Sequence, residues 1–231
     1  MRPLWGLDRK CGPAGQGWGG LVLSGRVLWD VDTQVDFMLP DGKLYVPGAE
    51  ETAPAMRRLV EAARAAGLIH VASADDHELT DPEISDEPDY HNTYPPHCLR
   101  GTRGAEKIPE TEQGDPLPLS LVPYPPGLVP DLVSGRREIL LLKKNFNVFT
   151  NPNTDPLLDA LDPDEIVLFG VATDVCDDAA IHGFLQRGRK VRFVEDAARG
   201  LDAERVAAVT RAWREEGVPF TSSDEVIASF G

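Results

Sequence analysis

The sequence predicts a doubly wound α/β domain: three layers, with helices on both faces of a mostly parallel sheet of about six strands, a Rossmann-like arrangement. Three observations predict it. Short apolar runs alternate with segments of helical periodicity along most of the chain. The turns between most of them are short, as parallel crossovers with right-handed helices require. Polar, chemistry-bearing residues gather directly after the apolar runs, at the strand ends where such sheets bind ligands.

The elements follow in order. Residues 1–24 are Gly-rich and lack periodicity, so they are expected to be a disordered tail, with 25–231 forming one domain. RVLWDVD (26–32) reads as a buried strand. Residues 48–67 carry apolar side chains at helical spacing and stop at Gly67. LIHVASA (68–74) is a second strand. The polar, Pro-rich stretch 75–136 is too long for an ordinary connection, and loops of that length are usually functional. EILLLKK (138–144) is a third strand. TDPLLDAL (154–161) is a short helix with Thr or Asp expected at its cap. EIVLFG (165–170) is a fourth strand, and a helix beginning near Asp174 runs to Gly188. KVRFVED (190–196), a helix over 202–217 and a short strand VPFT (218–221) complete the pattern.

Composition excludes several function classes. The net charge of −15 argues against nucleic acid, where Lys and Arg on phosphates supply most of the affinity, and against an anionic membrane surface. No apolar run approaches the ~20 residues of a membrane-spanning helix, and the N-terminal residues lack the apolar core of a secretory signal. Three cysteines, Cys11, Cys98 and Cys176, make no disulfide framework. A reducing cytoplasm is the expected compartment.

Four polar clusters follow four strands: DTQVDF (32–37), DDH (75–77), KKNFNVF (143–149) and GVATDVC (170–176). A carboxylate, an Asp-x-His pair, a lysine and a cysteine thus point at one rim. Cys176 falls in the first turn of its helix, where the helix N-terminus and a nearby lysine favour a thiolate. Asp32 is the natural base. Lys143 or Lys144 supplies the positive charge, since pleat alternation lets only one face the site. Asp75 and His77 offer two metal ligands from one extended segment, and His97 closes a facial set of three that suits Zn²⁺, Fe²⁺ or Mn²⁺. His91 is a spare candidate. His70 reads as core and His182 as structural. Cys98 points away from the site if His97 points toward it.

These motifs, with YPPHCLRGTRGAE (94–106) between them, resemble the isochorismatase-like cysteine hydrolases, in order over about residues 26–200. The segment 95–106 after an Asp-x-His resembles the nicotinamidase branch. The resemblance implies a catalytic triad of Asp32, Lys143 and Cys176, with Lys143 chosen because Phe149 lies six residues on. It implies a cis peptide at Val171–Ala172 and an oxyanion hole from the Ala172 and Cys176 amides. It also implies a divalent metal on Asp75, His77 and His97, with zinc first. Phe37 and Tyr94 would flank a planar ring, Tyr94 standing where the branch has Trp. The acidic loop Glu78–Asp89 and Asp177 depart from the family pattern.

The expected function is a metal-containing cysteine amidohydrolase, nicotinamide to nicotinate being the first-choice reaction. A ureido or carbamoyl amide hydrolase is the enzymatic alternative. A non-catalytic metal-binding protein of the same fold is the contrasting class. A small-molecule amide is the expected partner, and the resemblance implies a homo-oligomer.

Overall fold

The computed structural model describes residues 25–90 and 92–230, so the expected tail 1–24, with Cys11, and His91 lie outside the described residues. Seven parallel strands form one sheet: β1 (Arg26–Val31), β2 (Ile69–Asp75), β3 (Leu117–Leu119), β4 (Glu138–Lys143), β5 (Glu165–Val171), β6 (Val191–Arg199) and β7 (Phe220–Thr221). Their order is β3-β4-β2-β1-β5-β6-β7. The winding reverses between β1 and β5, and this switch point opens a crevice at the carboxyl ends.

The helices are α1 (Val35–Met38), α2 (Ala53–Ala65), α3 (Leu128–Val133), α4 (Thr154–Leu161), α5 (Asp178–Gln186), α6 (Ala203–Glu215) and α7 (Ser223–Ala228). Two cores result. One face of the sheet packs Val27, Trp29 and Leu168 against α3 to α6, through Val133, Leu157, Phe184 and Trp213. The other packs Leu28, Val167 and Phe169 against α2 and α7, through Met56, Leu59 and Val226. Strands buried on both faces explain why their sequences read as continuous apolar runs.

The predicted elements are present, the short helices α1, α3 and α7 are added to them, and four further differences stand out. The sheet gains β3, only three residues long inside the Pro-rich tract and paired with β4 from Leu117 to Leu119. Strand β6 runs on to Arg199 past a register shift opposite Leu168 and Gly170. Helix α4 has Asn153 at its cap position, because the Thr154 hydroxyl instead donates to the Val148 carbonyl (2.8 Å). Helix α5 is preceded by a π-helical turn, Thr173–Asp177, so Cys176 lies on a widened turn. His182 is half exposed and pairs with Asp178 (3.2 Å) and Glu216 (3.5 Å). His70 is buried and faces Asp30 at 3.7 Å.

Gly170 sets the crevice. A Cβ there would lie 2.1 Å from the Val31 carbonyl oxygen, and its φ is 141°. Only glycine lets β5 approach the end of β1 this closely. The helix that follows Cys176 is anchored through its own Phe184, fully buried and edge-on to both Trp29 (4.7 Å) and Phe149 (5.2 Å). Phe184→Ala is expected to cost about 3–5 kcal/mol, read as a lowered denaturant midpoint at unchanged m-value.

Candidate active site

Each strand end delivers one group. Asp32 follows β1 with φ at 51°, a left-handed turn that Asp tolerates better than most residues. Asp75 ends β2, Lys143 ends β4, and Cys176 follows β5. The Lys143 ammonium is buried between two carboxylates, 2.8 Å from Asp32 Oδ2 and 2.5 Å from Asp75 Oδ1, and 3.8 Å from Cys176 Sγ. Lys144 turns the other way and pairs with Asp81 (2.8 Å). The pleat thus resolves the choice of inward-facing lysine in favour of Lys143.

The DTQVDF motif is used residue by residue. Thr33 donates to the buried Asp30 carboxylate (2.8 Å). The Gln34 amide grips the Asp75 backbone in both directions, donating to its carbonyl (2.8 Å) and accepting from its N–H (2.7 Å). Asp36 accepts from the Cys98 N–H (2.7 Å) and the Lys43 N–H (3.0 Å), tying the loop that carries His97. Phe37 lines the cleft. Asp32 is oriented by the Ser73 hydroxyl, which donates to Oδ1 (2.7 Å).

Electrostatics follow from this burial. Burial would lower the Lys143 ammonium, but Asp32 and Asp75 override it and hold it well above its ordinary value. Burial raises Asp32, opposed by Lys143 and reinforced by Asp75. Burial would also raise Asp75, but Lys143 and the nearby His77 and His97 rings hold it well below the usual carboxylate range. Burial pushes the Cys176 thiol well up; Lys143 pulls it down, and Asp32 and Asp75 push it up again. This corrects the expectation of a low-pKa thiolate at a helix end. Burial and two carboxylates outweigh one ammonium, so the thiol is shifted upward rather than toward the thiolate.

Asp75, His77 and His97 bring one ligand atom each within 4.8 Å of one another. Asp75 Oδ2 lies 3.8 Å from Nε2 of both histidines. His77 Nε2 is buried and has no hydrogen-bond partner, as a nitrogen reserved for a metal would be. Each ring's other nitrogen is occupied: His97 Nδ1 meets the Pro95 carbonyl (2.8 Å), and His77 Nδ1 meets Asp81 Oδ2 (3.4 Å). Such outer partners fix the tautomer of metal-binding imidazoles. The set fits a divalent cation with positions left open.

The cleft between these groups is lined by Phe37, Leu44, Val46, Tyr94, Phe146 and Val175, with Glu83 and Cys176 among the remaining wall residues. Phe149, used above only as a spacing marker, packs on Phe184 instead. Sequence reasoning missed Leu44 and Val46, which sit on a segment with no local signal, and did not single out Phe146 within the KKNFNVF cluster. It marked the acidic loop without singling out Glu83. Ala172 also lines the cleft, and the Val171–Ala172 peptide is cis. A wider cleft of about 510 Å³ at the opposite sheet end, lined by Arg64, His70 and Glu138 among others, holds no cysteine and no metal-binding set.

Removing the central ammonium should be costly. Lys143→Met leaves two buried carboxylates facing each other, and the expected loss is about 3–5 kcal/mol in chelator-treated protein. Both carboxyls would then titrate above their unfolded values. Their penalty grows as pH rises from about 4 toward the raised values, so the deficit against wild type should shrink from pH 8 to pH 5 in denaturant unfolding. Lys144→Met, which removes a partly exposed pair, should cost no more than about 1 kcal/mol.

A family model described as the isochorismatase domain matches residues 120–225. A nicotinamidase/pyrazinamidase of Mycobacterium tuberculosis is 30% identical over 203 residues, covering 86% of this chain and 99% of its own. The crystal structure of the pyrazinamidase of Pyrococcus horikoshii in complex with zinc superposes with a TM-score of 0.67 at 21% identity, over 86% of this chain and 99% of that one. An N-carbamoylsarcosine amidase from Thermoplasma acidophilum gives 0.65 at 26% identity, over 86% and 96%. With these motifs in these places, the chain belongs to the isochorismatase-like superfamily, on its nicotinamidase branch.

Proposed function

We propose that this protein hydrolyses nicotinamide to nicotinate and ammonia through a thioester on Cys176. Its place in the branch makes it an amidohydrolase of carbon–nitrogen bonds; the substrate and the mechanism are the proposal. One observation carries it. The acid–base and thiol group (Asp32, Lys143, Cys176) and the Asp/His/His set share a carboxylate, Asp75, and border one cleft with Phe37, Tyr94 and Phe146 in its walls.

Asp32 takes the thiol proton as Sγ attacks the carboxamide carbon. Burial raises its pKa above the ordinary carboxylate value, the direction a general base requires. Negative charge on the carbonyl oxygen is received by the Ala172 and Cys176 amides, the oxyanion hole of this reading. Asp32 then returns the proton to the leaving nitrogen, and ammonia departs. Water, deprotonated by the same carboxylate, opens the thioester; the acid leaves and the thiol is restored. Lys143 keeps Asp32 and Asp75 in place throughout. Phe37 and Tyr94 flank the ring. Asp75, His77 and His97 would hold a divalent cation, zinc first and iron or manganese as alternatives, which would supply a Lewis acid for the pyridine nitrogen.

The N-carbamoylsarcosine amidase neighbour supports a second reading, a ureido or carbamoyl amide as substrate on the same thiol chemistry. The reading also takes a homo-oligomer in a reducing cytoplasm. The two cysteines among the described residues, Cys98 and Cys176, are both unpaired, in keeping with that compartment. No helix of the described residues is long and apolar enough to cross a membrane.

Ammonia release from nicotinamide tests the proposal directly. Cys176→Ala should lower kcat by at least about 10⁴-fold with the fold intact by circular dichroism; full turnover by that variant would remove the thioester. His77→Ala should reduce bound metal on elemental analysis and raise KM for nicotinamide by about 10–100-fold. Unchanged metal content would remove His77 from the ligand set.

A further inference from the structure

A second enclosed ammonium lies behind the reacting groups. Lys107 comes from the long Pro-rich tract, where an isolated antiparallel bridge pairs it with Gln34. Its side chain is only 9% exposed, and its ammonium lies 3.0 Å from the fully buried Asp30 carboxylate. The same ammonium donates to the Ser73 carbonyl (3.0 Å). Burial would raise Asp30, but Lys107 and the nearby His70 ring hold it below its ordinary value. Lys107 is not among the walls of the cleft, and none of these contacts serves the chemistry above.

Ser73 is where this pair meets the base. Its carbonyl accepts from the Lys107 ammonium and from the Asp32 N–H (3.2 Å), while its hydroxyl donates to Asp32 Oδ1 (2.7 Å). Asp32 is thus held by Ser73 at both backbone and side chain. It needs that hold, because a non-glycine residue at φ 51° keeps its conformation only where its surroundings impose it. Lys107 in turn fixes Ser73, binding β1 through Asp30 and β2 through Ser73 at once. Stability alone explains the pair poorly. Desolvation offsets most of the attraction within a buried ion pair, and apolar residues of similar volume often do as well or better.

We propose that Lys107 is a positioning residue for the hydrolysis: with Asp30 it fixes Ser73, and through Ser73 it aims the Asp32 carboxylate at Cys176. This rests on the reading of Asp32 as the base of a thiol reaction at Cys176. Lys107 acts on the aim of the base and not on the cleft, so its loss should slow the chemical step and leave substrate binding and metal content unchanged.

The test separates aim from stability. Lys107→Met strands the buried Asp30 carboxylate and should lower the denaturant midpoint. The double variant Asp30→Asn/Lys107→Met removes both charges together and should recover most of that midpoint, so it carries the test even where the single variant fails to fold. In metal-loaded protein the double variant should hydrolyse nicotinamide with kcat about 10–100-fold below wild type, the loss expected for a base displaced by a fraction of an ångström to about 1 Å. Its KM should stay within about twofold, as for an interaction made only in the transition state. A kcat that returns with the midpoint overturns the inference and leaves the pair a stabilising role alone. Iodoacetamide gives a second readout without turnover. The Cys176 sulfur displaces iodide, the thiol proton passes to Asp32, and the alkylated peptide is quantified by mass spectrometry. The rate should fall about fivefold in the double variant, where Asp32 keeps its charge and loses its aim. An unchanged alkylation rate overturns the inference. A slowed rate in a protein whose wild type does not hydrolyse nicotinamide removes the substrate assignment and leaves the role of Lys107 supported.

Discussion

The site depends on one buried ammonium. Asp32 and Asp75 end neighbouring strands and would repel each other in a dry interior. Lys143, from the next strand but one, sits between them within 2.8 Å of both. Like charges inside a protein interact far more strongly than in water, so these three strand ends hold their spacing only as a set. The ammonium also gives direction to each carboxylate. Asp32 has Oδ1 occupied by Ser73 and turns Oδ2 to the lysine. Asp75 gives Oδ1 to the lysine and Oδ2 to the two histidines.

The fold supplies these positions without long-range adjustment. Parallel strands end at one rim, and the reversal of winding between β1 and β5 keeps that rim open. Gly170 brings the Cys176 turn down onto the end of β1. Gln34 then ties β1 to β2 through the Asp75 backbone, so Cys176, Asp32 and Asp75 are referenced to one another by backbone contacts as well as by charge. Asp75 belongs to both the Lys143 group and the Asp/His/His set, and changes in one are felt in the other.

Much of this was legible in the sequence because its signals are local. Apolar runs mark doubly buried strands, and the residues just after them mark the rim. The groups placed there, Asp32, Asp75, His77, Lys143 and Cys176, do meet in space. Other features are set by partners far away in the chain. Three residues of β3 carry no period of their own and become a strand only by pairing with β4. Leu44, Val46 and Phe146 become cleft walls only when their loops fold over the rim. The thiol's protonation depends on how completely Cys176 is enclosed, which no motif reports. The structural work of Gln34 and Asp36 was invisible for the same reason: their bonds end on residues 41 and 62 positions away.

The origin of the cleft walls has a further consequence. Asp32, Asp75, Lys143 and Cys176 rise from the strand ends, whereas Tyr94 and Glu83 arrive on a loop whose local ladder is two hydrogen bonds long. Such a loop can be exchanged, lengthened or recharged while the strands beneath keep their register. Lineages sharing this rim are therefore free to diversify their ligands by turnover of surface segments, and a designer can borrow the same modularity. Grafting alternative 78–94 segments onto an untouched scaffold is a rational route to new amidases.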